Sequence, residues 1–95
     1  MATYIILSRL SPEAMKDPSD IKDLAKKVNR EIKRKCPGIV WKESYAVKGS
    51  YDIVDIVESD DEAEVDRASM IIRSTGNSWT ETLTTTPWHE FLKHF

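Results

Sequence analysis

The sequence predicts an α+β domain, a ferredoxin-like βαββαβ sandwich closed by a C-terminal helix. Three observations predict it. Short β-branched and aromatic segments alternate with segments of helical apolar spacing in the order β-α-β-β-α-β, the split βαβ pattern. Several strand segments are apolar on both sides of the pleat, whereas two helices cover only one face of a four-stranded sheet. The two helical regions also carry opposite charge. Residues 19–35 hold seven Lys/Arg and three acids, net +4, and residues 52–66 hold eight acids and no Lys or Arg. Helices of this architecture lie side by side, so the charges are complementary. Exposed pairs are worth only about 0.2–1 kcal/mol each, and they orient more than they stabilise.

The elements follow in order. "TYIILSRL", residues 3–10, is a short strand apolar on both faces. After the connection "SPEAMKDPSD", Asp17 is the expected N-cap, with Pro18 at the first helical position. Ile21, Leu24, Ala25, Val28 and Ile32 then form one apolar helical stripe, ended by Pro37-Gly38. "IVWKESYAVK", residues 39–48, alternates so that Trp41, Glu43, Tyr45 and Val47 share a face. Gly49-Ser50 signals a turn into "YDIVDIVE", which makes a hairpin. Ser59 and Glu62 fit a capping box for a second helix with Ala63, Val65, Ala68, Ile71 and Ile72 on its apolar side and Gly76 as C-cap. "NSWTETLTTT" is a Thr-rich strand, and Thr86 is the expected cap of "PWHEFLKHF".

Ninety-five residues are read as one domain, 1–95. A chain of this size removes roughly two thirds of its unfolded surface from water, so its core is marginal and association would help it. The apolar sheet face is expected to meet that of a second copy, forming a dimeric α+β barrel. A net charge of −2 argues against nucleic-acid binding. The single cysteine, Cys36, allows no internal disulfide and fits a reducing compartment. The N-terminal apolar run is too short to span a bilayer and lacks the features of a secretory signal, so a cytoplasmic protein without membrane contact is expected.

The turn Gly49-Ser50-Tyr51-Asp52, the acidic continuation through Glu58, Asp60 and Asp61, the strand Thr80-Glu81-Thr82-Leu83 and the closing Thr86-Pro87 with Phe91 resemble the GYD-domain family. The opening "ATYIILSRLS" is similar too. The resemblance covers nearly the whole chain and is strongest over residues 47–91. It implies a ferredoxin-like fold and a homodimer, and implies no activity. Asp55 departs from the pattern, standing where the family carries an apolar residue.

Asp55 is the first candidate for chemistry. A carboxyl buried without a partner keeps its proton toward neutrality and can donate to a ligand. Its other readings are a wet position in the barrel or an ion pair with Lys42 or Lys48. The structural reading of Asp52 is a carboxylate that accepts backbone N–H groups and holds the turn. Two hairpin registers are open. One places Lys48 opposite Tyr51 and separates Glu43 from Asp55. The other places Val47 there and gathers Trp41, Glu43, Tyr45, Tyr51, Ile53 and Asp55 on one face. Trp79 and Glu81 of the last strand complete the candidate ligand pocket of Trp41, Glu43, Tyr45, Tyr51, Asp52, Asp55, Trp79 and Glu81. Packing in the core or between subunits is the competing role of the aromatics.

His89 and His94 are five apart, not the three or four of a helical metal pair, and no metal site or cofactor is expected. Cys36 follows three cations that could lower its pKa, although a plain helix-end thiol is the default. The expected function is a homodimeric small-ligand-binding or regulatory protein. The alternative is a cofactor-independent monooxygenase or isomerase of the dimeric-barrel type, using residues such as Asn77, Trp79 and His89. No catalytic set is assigned.

Overall fold

The computed structural model describes residues 1–95. Strand β1 (Ala2–Leu10) is followed by helix α1 (Asp20–Lys35), strands β2 (Val40–Ala46) and β3 (Ile53–Ser59), helix α2 (Glu62–Ser74), strand β4 (Ser78–Thr84) and the short helix α3 (Trp88–Leu92). The four strands form one antiparallel sheet in the order β2-β3-β1-β4. This is the ferredoxin-like βαββαβ arrangement. The first and third strands occupy the centre, and that is why both are apolar on each side.

Period-2 alternation sorts the sheet into two faces. Tyr4, Ile6 and Ser8 of β1 and Asp55, Val57 and Ser59 of β3 are buried beneath the helices. Ile6, Val57, Val65 and Ala68 are fully covered and form the core with Ile32, Ile71 and Ile72. Ile5, Leu7, Val54 and Ile56 point the other way and are only partly covered. Helix α2 rests on β4 and the central strands, whereas α1 leans on α2 and stands away from the strands. The oppositely charged helices do pack together. Yet Glu31 of α1 pairs with Arg34 and Lys35 of its own helix, and no salt bridge joins α1 to α2. Within its bounds α2 carries three acids and two arginines, so most of the acidic excess of residues 52–66 lies on β3 and its flanking turns.

The helix ends differ from expectation. Asp17 does not cap α1 directly. Its carbonyl accepts from Asp20 N–H, and its carboxylate accepts from the backbone N–H and hydroxyl of Ser19, which puts a tight turn ahead of the helix. Asp61, not Ser59, caps α2, accepting from Ala63 N–H at 3.0 Å, while buried Ser59 accepts from Asp61 N–H. A buried serine at the end of β3 serves the chain entering the cap. Thr86 makes no side-chain cap, and Pro87 occupies the N-cap position of α3. Beyond α2 the left-handed residue is Asn77, at φ 48°, rather than Gly76.

Gly76 is required for another reason. A Cβ there would lie 2.4 Å from the Ile72 carbonyl oxygen and 3.1 Å from Cγ2 of Val28, so the α1–α2 contact closes over a position without a side chain. Gly76→Ala is expected to cost about 1–3 kcal/mol through overpacking. A urea midpoint unchanged from the parent protein would refute that account.

Candidate functional site

The hairpin adopts the register that separates Glu43 from Asp55. Ala46 pairs with Ile53, Tyr45 with Val54, Ser44 with Asp55 and Glu43 with Ile56. One further feature escapes simple alternation. Trp41 pairs with Val57, so Lys42 is an extra residue in a β-bulge. The bulge turns Trp41 onto the helix side, the face of Ser44 and Asp55. The eight candidate residues therefore do not form a single pocket, because the structure distributes them over two sides of the sheet and the turn.

On the helix side, Asp55 Oδ1 accepts from Ser44 Oγ at 2.6 Å and from Trp41 Nε1 at 3.2 Å. The same indole N–H lies 2.9 Å from Ser44 Oγ. Asp55 is 7% exposed and has no salt-bridge partner. Lys42 reaches Glu58 instead, at 3.9 Å. This replaces both the expected Lys–Asp55 pair and the placement of Asp55 against a second subunit's sheet. Burial pushes the Asp55 carboxyl above the ordinary aspartate range, and the hydrogen bonds from Ser44 and Trp41 pull part of the way back.

The other side holds a second group. Tyr51 donates its hydroxyl hydrogen to Glu81 Oε1, and this contact raises the phenol's pKa. The Arg9 guanidinium lies 5.8 Å from the Tyr51 ring centre, and its Nε donates to Ser50 O. Trp79, 65% exposed, lines the same shallow depression as Arg9, Tyr51 and Glu81. Glu43 and Tyr45 lie on edge strand β2, with their side chains exposed. Asp52 belongs to neither group. Its Oδ2 accepts from Leu10 N–H at 2.8 Å, and its own N–H donates to Ser8 O. The Gly-Ser-Tyr-Asp turn is thereby stitched to the end of β1.

Asn77 and Trp79 border one groove near the start of β4, but His89 sits on α3, which packs against no other element. The three do not converge on a reacting centre. Burial also pushes the Cys36 thiol up, opposing activation by its basic neighbours. Sequence reasoning overlooked Ser8 and Ser44. Both are small polar residues on strands whose helix-facing side is otherwise apolar, and that mismatch was the available signal. No helix is long and apolar enough to cross a membrane.

A family model described as GYD domain matches residues 4–94. A Thermus thermophilus protein named glutamine synthetase and cystathionine beta-lyase binding protein is 38% identical over 91 residues, which is 92% of this chain and 90% of that protein. A T. thermophilus protein known from its crystal structure shares 26% identity at a TM-score of 0.60 over 90% of this chain and 94% of its own. The Mycobacterium tuberculosis leucine response regulatory protein superposes at a TM-score of 0.59 with 17% identity, covering 92% of this chain. That likeness is one of fold, and this chain spans 53% of the regulator's length.

The burial of Asp55 makes stability depend on pH in a defined direction. A native pKa above the unfolded one means that the folded chain binds the proton more tightly. The contribution of Asp55 is most favourable at low pH and is lost as pH rises through its native pKa. Asp55→Asn removes this dependence. Subtracting urea-derived stabilities of the variant from those of the parent across the acidic range should give a difference that moves against the parent as pH rises. A flat or opposite difference would refute the assignment.

Proposed function

The chain belongs to the GYD-domain family, and from that premise we propose that it works as a homodimeric binding module with a regulatory output. One observation carries the reading. The sheet face away from the helices keeps an apolar centre of Ile5, Leu7, Val54, Ile56 and Leu83, with Tyr45 at its edge, only partly covered and with no helix packed over it. A second copy supplies an identical surface and lets each sheet cover the other. If each of the twelve side chains gains about a third of the 1.5–3 kcal/mol of a full burial, the sum of about 6–12 kcal/mol is comparable with an association cost of roughly 4–15 kcal/mol.

Sheet-to-sheet pairing leaves α1 and α2 on the outside. The basic face of α1 and the acidic first turn of α2 then remain free to meet a partner protein. The Thermus relative is named for binding two enzymes, and this supports a partner of the same kind, a metabolic enzyme such as glutamine synthetase. The depression of Arg9, Tyr51, Trp79 and Glu81 adjoins the proposed subunit contact and suits a small polar ligand held between copies.

Light scattering during size-exclusion chromatography should report twice the subunit mass, and Ile56→Lys should report the subunit mass with its helical circular dichroism retained. A parent protein that is monomeric and well folded at micromolar concentration would overturn the dimer. Immobilised parent protein should retain purified glutamine synthetase from the same organism in a salt-sensitive manner. If it retains neither that enzyme nor cystathionine beta-lyase, the partner assignment fails.

A further inference from the structure

We propose that the cleft beneath α1 is a binding site for a small organic amine with an apolar body, the ammonium being held by Asp55 and Ser8. The cleft lies between α1 and the sheet, where α1 leans on α2 and enters the core through Ile32. Its volume is about 210 Å³. A dry cavity of about 150 Å³ accepts benzene, so this one has room for a single ring bearing a short substituent. Leu10, Leu24, Val28, Trp41, Ile53 and Ile72 supply apolar walls. Asn29 and Ser44 also line it and are exposed, which opens the cleft to solvent between α1 and the edge strand β2.

Two polar groups on the cleft floor are incompletely used. The donors that reach Asp55, Ser44 and Trp41, both end on Oδ1 and leave the acceptor capacity of Oδ2 to a ligand. Ser8 is 1% exposed, and its Oγ has no hydrogen-bond partner. Buried polar groups are ordinarily paired, and a ligand donor reaching the cleft floor would satisfy the Ser8 hydroxyl. Ser8 pairs with Ile53, two residues from Asp55 and on the same face, so the hydroxyl and carboxylate are diagonal neighbours within reach of one ligand head group.

The charge of that head group follows from the lining. Strands β1 to β4 and helices α1 and α2 contribute no ionisable side chain to the cleft other than Asp55. An anionic ligand would meet a carboxylate and no cation. An ammonium would bring both the missing positive charge and hydrogen-bond donors for Oδ2 and Ser8 Oγ. Because burial raises the proton affinity of Asp55, protons compete with the cation for its carboxylate, and affinity rises with pH through the native pKa of Asp55. The site lies on the opposite side of the sheet from the proposed dimer face and does not rest on that reading.

Titration with benzylamine and benzyl alcohol, followed by two-dimensional NMR of the methyl groups of Leu10, Leu24, Val28 and Ile72, tests the proposal. Benzylamine should produce saturable shifts in these methyls and bind at least about tenfold more tightly than benzyl alcohol, the worth of a charged hydrogen bond. Its affinity should rise as pH increases through the native pKa of Asp55. Asp55→Asn, with folding confirmed by the same spectra, should abolish the preference for the amine while leaving the alcohol's affinity within about twofold. Ser8→Ala keeps the carboxylate and should weaken the amine by a smaller factor. Equal affinities for the two probes, an amine preference that survives Asp55→Asn, or a hydrated gap showing no saturable shift would each overturn the proposal.

Discussion

A sheet whose central strands are greasy on both sides must be covered twice, and the rest of this structure depends on that constraint. β1 alternates Tyr4, Ile6 and Ser8 beneath the helices with Ile5 and Leu7 on the opposite face, and β3 repeats the arrangement with Val57 set against Val54 and Ile56. The two helices of a βαββαβ chain fall on one side of the sheet. They satisfy the first face and leave the second, with Ile5, Leu7, Val54 and Ile56, without a helix over it. The fold and the proposed association thus draw on the same apolar pattern.

The helix-covered layer is not uniformly sealed. α2 is drawn tight by Val65, Ala68, Ile71 and Ile72, and Gly76 lets Val28 approach its end. α1 sinks only the side chain of Ile32 fully into the core. A helix held mainly along its flank by a neighbouring helix leaves room beneath it, and the polar residues of the fold's interior collect in that space. Asp55, Ser44, Trp41 and Ser8 are best understood together for this reason. Each would be anomalous under a closely packed helix, and each is reasonable at the floor of a cleft.

Most of the architecture was legible because it is written in periodicity. The strands at 3–10, 39–48 and 51–58 and the stripe from Ile21 to Ile32 follow directly from spacing, and the structure shifts the strand ends by one or two residues. The site was less legible. A strand's faces are deduced by counting in twos, and one extra residue at Lys42 inverts the count for Trp41. No local sequence feature distinguishes Trp-Lys-Glu with a bulge from Trp-Lys-Glu without one. The same difficulty hid the true side of Asp55, whose position depended on a hairpin register that either turn length could supply. The caps failed for a milder reason. Ser59, Asp60 and Asp61 are all competent N-caps, and the role falls to Asp61, the residue directly before the helix start at Glu62.

The bulge has a further consequence. β2 is an outer strand, and an outer strand offers free N–H and C=O groups to any extended chain that comes near. An extra residue bearing a lysine breaks the regular spacing of those groups and adds charge just where a foreign strand would have to zip on. The free edge of β2 is thereby guarded against side-by-side growth into a ribbon, and the proposed mating of sheet faces is left as the open direction.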